Sequence, residues 1–293
     1  MTDRFRDKIL PVTAILLAIV AAWYVGAYML NAPFQRDLDR RAGETPTFSE
    51  FVVKTMTQPK PTLPAPHQVA VNFYENTFLR SVTSARSLVY HSWVTLSSTL
   101  AGFAMGTLLG IVIAVGIVHV TTLDRSLMPW IITSQTIPIL ALAPMIIVVL
   151  AAVGITGLLP KALISTYLSF FPVAVGMVKG LRSPDAIHLD LMRTYNAGKA
   201  ETFWKLRLPA SVPFLFASMK VAVAASLVGA IVGELPTGAV AGIGSKLLSG
   251  SYYSQTIDMF AALVAGSVVA VLLVTAVGLT GRIVERAMGA RPA

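Results

Sequence analysis

The sequence predicts an all-α integral membrane protein with six transmembrane helices and one polar loop on the cytoplasmic side. Three observations carry this. Of its 293 residues, 55% are hydrophobic and only 13% charged, with a mean hydropathy of +0.71, outside the range of a soluble globule. Apolar blocks long enough to cross a bilayer recur along the chain. Between two of them lies a charged stretch, Asp190 to Pro213. The formal charge of +9 sits around the ends of apolar blocks, as membrane topology demands, so nucleic acid is discounted as a partner. With no cysteine in the chain, disulfides, thiolate metal sites and cysteine nucleophiles are excluded.

Arg4, Arg6 and Lys8 precede the apolar run Ile9 to Leu30, which makes residues 1–30 a cytoplasmic N-terminus and first transmembrane helix rather than a cleaved signal. Residues 31–87 change to mixed charges and prolines and are expected outside the membrane. Gln58 to Pro66 favours extended polyproline geometry. Val69 to Leu79 reads as a short amphipathic helix, with Phe73, Tyr74 and Phe78 suited to the interfacial belt.

Residues 88–281 are expected to form a five-helix core. Its first span, about Val89 to Val118, carries Gly102, Ala104, Gly106 and Gly110 at spacings that admit a close neighbour. A turn with His119, Asp124 and Arg125 follows on the inner side. No charge occurs between Arg125 and Lys161, so a span is expected over roughly Leu127 to Val153, interrupted by Pro138 and Pro144, with an outer turn at 154–160. A broken helix needs neighbouring helices or a wet cavity to satisfy its freed carbonyls. Ser134, Gln135 and Thr136 precede the first break, either lining a pore or bonding their own helix backbone.

The next span, about Ala162 to Val178, ends at Lys179 and Arg182 and delivers the chain to the loop 183–213. There Ser183-Pro184-Asp185 predicts a helix start. Asn196 and Gly198 tolerate left-handed geometry and predict a break. A second short helix follows, with Glu201 and Lys205 spaced for an ion pair, and Pro209 and Pro213 are expected to end it. Arg193, Lys199, Lys205 and Arg207 place this loop in the cytoplasm. From pattern alone it is either a connector lying on the lipid surface or a docking element. The fifth span, Phe214 to Val232, carries Lys220 and ends near Glu234. The glycine-rich stretch Thr237 to Thr256, with Gly238, Gly242, Gly244 and Gly250, is too flexible for a long helix and is open to a re-entrant course. The last span, Ile257 to Leu279, precedes a cytoplasmic tail over 282–293 with Arg282, Arg286 and Arg291.

Catalytic motifs are largely missing. No G-x-x-x-x-G-K-[ST] occurs; Gly242-Ile243-Gly244-Ser245-Lys246 lacks its spacing. His67, His91, His119 and His188 are scattered and predict no metal site. Only Glu234 and Asp258 approach membrane depth, each at a span end, so ion coupling is poorly supported. Glu234 is open to two readings, hydration in the outer interface or lining the mouth of a solute path.

These residues resemble the membrane subunits of bacterial ATP-binding-cassette importers, in the branch handling nitrate, sulfonates and precursors of thiamine or related heterocycles. Those permeases carry a cytoplasmic E-A-A loop with a following glycine and a later Leu-Pro. Counting back from Leu208-Pro209 sets Asn196 at the glycine and Asp190, Leu191 and Met192 at the E-A-A positions; the acidic charge, the spacing and the Leu-Pro survive. Ile137-Pro138 and Leu140-Ala141-Leu142-Ala143-Pro144 look like the family's I-P-P-L-A-L-A-P segment, with Ile139 in place of a proline. Leu63-Pro64-Ala65-Pro66 resembles its L-P-x-P, and Val232-Gly233-Glu234 its V-A-E.

The resemblance implies a type I importer-like permease in a bacterial inner membrane, with both termini cytoplasmic. Its implied partners are ATPase subunits that carry ATP and Mg, a second permease subunit and an extracytoplasmic solute-binding protein; the chain itself needs no cofactor and is no enzyme. Asp190, Tyr195, Asn196, Gly198, Phe203, Trp204 and Pro209 are expected to couple to the ATPase. Gln135, Thr136, Pro138, Ser226, Glu234, Tyr252, Tyr253 and Gln255 are expected along the solute path. The cargo is expected to be a heterocyclic vitamin precursor, pyrimidine or riboflavin-like, or a small anion such as sulfonate or nitrate. The alternative function is an ATP-independent secondary carrier.

Overall fold

The computed structural model describes residues 2–236 and 241–289. The expected basic side chains of Arg4, Arg6 and Lys8, the start of the glycine-rich stretch (Thr237, Gly238) and Arg291 lie outside the described residues. The sequence divides the chain at 30, 87 and 281. Packing divides it differently, into a unit of residues 1–90 with 246–265 and a unit of residues 91–245 with 266–293.

The first unit contains α1 (Thr2–Ala42), α2 (Phe48–Met56) and α3 (Pro66–Tyr74), which continues as a π-turn over Glu75–Leu79. α1 runs twelve residues beyond the predicted end at Leu30 and passes through Pro33. The extension has a physical reason. Asn31, Gln35 and Asp39 recur one helical turn apart and are all buried, with Asn31 and Gln35 bonded to residues 58–63 and Asp39 paired with Lys54 of α2. An extended polyproline chain has no internal hydrogen bonds, so its backbone needs partners from elsewhere when buried. Asn31 Oδ1 accepts from the N–H groups of Thr62 (2.8 Å) and Leu63 (3.2 Å), and its Nδ2 donates to the Leu63 carbonyl at 2.8 Å. Trp23 donates to the Pro64 carbonyl at 3.0 Å. Pro59, Pro61 and Pro64 therefore lie as predicted, outside any helix, and Pro66 begins α3. The T-x-x-E signature of a capping box at Thr47–Glu50 starts α2, and Thr47 N–H donates to the Glu50 carboxylate at 2.9 Å.

The second unit is built from α4 (Leu88–His119), α5 (Thr121–Ser134), α6 (Ile139–Ala152), α7 (Leu158–Leu181), α8 (Ala186–Thr194), α9 (Lys199–Thr202), α10 (Leu208–Glu234), the start of α11 (Ile243–Tyr252) and most of α12 (Thr256–Ala287). Among the described residues five helices are long and apolar enough to cross a membrane, and a sixth crossing is counted if α5 and α6 form one broken span. That pair covers the interrupted span predicted over 127–153, and its two helices meet at 99° across the break at Pro138. Pro138 occupies the N-cap of α6, where its missing N–H costs nothing. Pro144 breaks nothing and lies inside α6.

α7 is the axis of this unit, with α4 on one side and α10 on the other. A Cβ on Gly102 would lie 2.2 Å from Ser165 Cβ, one on Gly106 3.1 Å from the Phe170 amide nitrogen, and one on Gly110 2.8 Å from the Phe170 carbonyl. α4 thus lies directly on the α7 backbone along its predicted small-residue stripe. The seam is also hydrogen-bonded: Ser165 Oγ donates to the Ser226 carbonyl (2.9 Å) and Ser226 Oγ to the Thr99 carbonyl (2.8 Å), joining α7, α10 and α4. Near the α8 end, Ala114, Ile117, Ile131, Met177, Val178 and Leu181 form a buried cluster shared by α4, α5 and α7.

Gly106→Leu is expected to force α4 off α7 at a cost of about 3 kcal/mol, lowering the Tm and the monodisperse yield in detergent. Gly116→Ala, whose new Cβ would meet only the flexible end of Leu123 at 3.3 Å, should leave both unchanged. Paired thermal-shift and size-exclusion runs compare them.

Candidate functional site: the polar loop between α7 and α10

The loop begins at the end of α7, where Arg182 pairs with Asp124 of α5 at 2.8 Å. Its first helix, α8, starts where the sequence predicts, with Asp185 at the N-cap position. Ser183 Oγ donates back to the Gly180 carbonyl at 2.8 Å, closing the end of α7.

α8 stops where the sequence places the break. Asn196 has φ +53°, its N–H donates to the Arg193 carbonyl (2.8 Å), and Ala197 N–H donates to the Met192 carbonyl (2.9 Å). This pair of reversed bonds is a Schellman motif with asparagine in the left-handed position. The finding explains why asparagine stands at the place of the family's glycine, since both residues accept that geometry. Gly198 does not share it. Its φ of −68° and ψ of 167° are extended, and it caps α9.

Pro209 and Pro213 do not end the second helix, contrary to expectation. α9 passes into a π-turn over Phe203–Arg207 and then into α10, making one helical path from Lys199 to Glu234. Pro209 lies in the first turn of α10, and the wider π-turn before it leaves room for a ring that would otherwise strike the preceding carbonyls. Glu201 and Lys205 form the expected i,i+4 ion pair.

Successive residues of the π-turn point to different surroundings. Phe203 packs on the buried Ala114–Leu181 cluster and meets the His119 ring edge-on at 5.2 Å. Trp204 is 65% exposed. On α8, Ile187, Leu191 and Tyr195 recur four residues apart and are 80%, 50% and 76% exposed, which makes an apolar stripe with no cover from this chain. Ile187 and Leu191 are absent from the predicted coupling set, although their i,i+4 spacing with Tyr195 is visible in the sequence. Asp190 lies beside the stripe, paired with Arg193 at 3.0 Å.

The predicted solute-path residues separate. Gln135 is half-buried, and Thr136 and Pro138 are exposed, at the α5–α6 break. Ser134 and Thr136 hydroxyls bond backbone carbonyls of their own helix, Ile131 at 2.7 Å and Thr133 at 2.8 Å, which is the local alternative for this cluster. Tyr252, Tyr253 and Gln255 are exposed in the first unit. Ser226 and Glu234 both have no exposed surface. Ser226 is spent in the seam between helices. The Glu234 carboxylate accepts from Thr95 Oγ1 at 2.9 Å and from Gly244 N–H at 2.8 Å, between α4, α10 and α11. Among the described residues no cluster of His, Cys, Asp or Glu suits a metal ion.

Long apolar helices seamed by glycine and serine, joined by a charged loop whose apolar faces point two ways, define a polytopic membrane transport subunit. The pattern of the family described as "Binding-protein-dependent transport system inner membrane component" matches residues 106–290, and the chain belongs to that family, the permeases of ATP-binding-cassette importers. It is 32% identical over 181 residues to a probable ABC transporter permease protein of Haemophilus influenzae, covering 62% of this chain and 72% of that one. It is 29% identical to the formylaminopyrimidine transport permease protein ThiX of Halalkalibacterium halodurans, covering 59% and 64% of the two chains. To the riboflavin transport system permease protein RibX of Chloroflexus aurantiacus it is 28% identical, covering 76% and 80%. The chain is therefore a multi-pass inner-membrane transport subunit rather than an enzyme.

The two neighbouring aromatics should separate in a stability assay. Phe203→Ala is expected to cost about 2–3 kcal/mol, because it opens a gap against a core cluster, whereas Trp204→Ala should leave the Tm in detergent within error. Thermal unfolding of both variants checks this.

Proposed function

We propose that this chain is the membrane-spanning half of an ATP-driven, binding-protein-dependent importer, and that the loop over 183–213 docks on a separate ATPase. The observation that carries it is the uncovered apolar stripe Ile187–Leu191–Tyr195 with Trp204, on a loop tied through Phe203 to the buried core. An exposed stripe of branched and aromatic residues, and an exposed tryptophan on the same loop, favour a protein partner. Phe203 gives the partner's movement a packed route into α4, α5 and α7. Asp190 holds Arg193 beside the stripe, Asn196 and Gly198 set the angle between α8 and α9, and Pro209 begins the rigid rod of α10. ATP and Mg belong to the ATPase in this reading. The loop is cytoplasmic, as are both termini, by the distribution of Lys and Arg.

A second permease subunit and an extracytoplasmic solute-binding protein complete the assembly. The cargo class is a planar heterocyclic vitamin precursor. Support comes from the relatives named for formylaminopyrimidine and riboflavin, while relatives named for aliphatic sulfonates and nitrate are more distant, at 25% and 23% identity. The exposed Tyr252–Tyr253 pair offers π-faces to such a ring. Gln135, Thr136 and Pro138 are the path residues proposed in the second unit.

Proteoliposomes containing the permease, its ATPase and its binding protein are expected to take up a radiolabelled formylaminopyrimidine or riboflavin only with ATP inside the ATPase-facing compartment. Trp204→Ala should reduce that uptake at least tenfold without reducing permease content. Uptake by the permease alone under a proton or sodium gradient would overturn the reading.

A further inference from the structure

The transport reading makes no use of the buried carboxylate at the end of α10. Its surroundings are more specific than packing requires. Three consecutive backbone N–H groups at the start of α11 are each taken by a side chain from another helix. Gly242 N–H donates to His91 Nδ1 at 2.9 Å, Ile243 N–H to Thr95 Oγ1 at 2.8 Å, and Gly244 N–H to Glu234 Oε2 at 2.8 Å. The Thr95 hydroxyl in turn donates toward the Glu234 carboxylate, 2.9 Å from Oε1 and 3.0 Å from Oε2. His91 and Thr95 are one turn apart on α4 and are 3% and 0% exposed.

The first N–H groups of a helix have no partner within it. Leaving them unpaired in a buried site costs on the order of 1–3 kcal/mol each. Here the usual local cap is replaced by one assembled from α4 and α10. A carboxyl oxygen accepting at the N-terminus of α11 also has the favourable orientation against the helix dipole. The two glycines fit this arrangement. A Cβ on Gly242, whose φ is +131°, would fall 2.2 Å from the Glu234 carboxyl carbon, and one on Gly244 would fall 2.3 Å from the Ile231 carbonyl oxygen. Gly242-Ile243-Gly244, which fails as a phosphate-binding loop, is the seat for this carboxylate.

We propose that Glu234 is a positioning residue for transport: with His91 and Thr95 it forms a remote cap that locks the start of α11 to α4 and α10, and the lock transmits engagement of the solute-binding protein to the helices. The inference rests on the importer reading above. It makes α10 a rod with a functional contact at each end, the ATPase-facing π-turn at Phe203–Arg207 and the cap at Glu234.

Hydrogen exchange read by mass spectrometry over residues 241–250 tests the lock in purified permease. Glu234→Ala and Thr95→Val are each expected to speed exchange there at least tenfold, with helices α7 and α8 unchanged. Glu234→Gln, which keeps an oxygen for Gly244 N–H, should stay within threefold of the parent. The same variants, assembled with ATPase and binding protein, test the role. Basal ATP hydrolysis should stay within twofold for Glu234→Ala, stimulation by the binding protein should be lost, and Glu234→Gln should restore most of it. Unchanged exchange in both Glu234→Ala and Thr95→Val would overturn the lock. Intact stimulation despite faster exchange would overturn its role in transport. If the parent permease binds no ATPase, the importer reading fails while the exchange result stands. If Glu234→Ala does not fold, Thr95→Val and Glu234→Gln decide by the same two readouts.

Discussion

The second unit depends on how close α7 comes to its two neighbours. In a bilayer there is no hydrophobic gain from bringing apolar helices together, so association rests on contact distance and on hydrogen bonds between helices. Gly102, Gly106 and Gly110 supply the first by putting no side chain of α4 against α7 at these contacts. Ser165 and Ser226 supply the second, donating from α7 to α10 and from α10 to α4. Once these three helices are fixed, their ends are fixed too, and both candidate functional features are built on those ends.

At one end, α7 and α10 hold the polar loop between them. Its stiffness comes from local devices: the Schellman turn at Asn196, the Arg182–Asp124 pair and the passage of α9 through a π-turn into α10. A loop of this kind has few ways to yield, which the proposed docking role requires. At the other end, α4 and α10 together supply the cap that α11 lacks. Charge and hydroxyl at membrane depth are tolerated there because each finds a partner.

Much of this is legible in the sequence, and the exceptions share a cause. Apolar runs, the glycine stripe of α4, the left-handed residue at 196 and the Glu201–Lys205 pair are local signals, and they hold in the structure. What local signals miss is a partner distant in the chain. Asn31 and Gln35 read as the start of a loop until the segment 58–63 that they bind is in place. Pro209 and Pro213 read as terminators because nothing in their spacing announces a π-turn. Ser226 and Glu234 read as path-lining polar groups, and only the approach of α4 shows that their bonds are already used. The resemblance to importer permeases places the loop and the V-G-E segment correctly in order, yet gives no reason for either; the Schellman turn and the cap over Gly242–Gly244 provide one.

The central claim is that the stripe on α8 faces an ATPase in the cytoplasm. Because the chain has no cysteine, Ile187→Cys places a single reactive thiol on that stripe. Its labelling by a membrane-impermeant maleimide is the most direct measurement. Inverted membrane vesicles should label rapidly, right-side-out vesicles should not, and adding the purified ATPase to inverted vesicles should protect the thiol. Labelling from the outer face, or no protection at saturating ATPase, would contradict the claim.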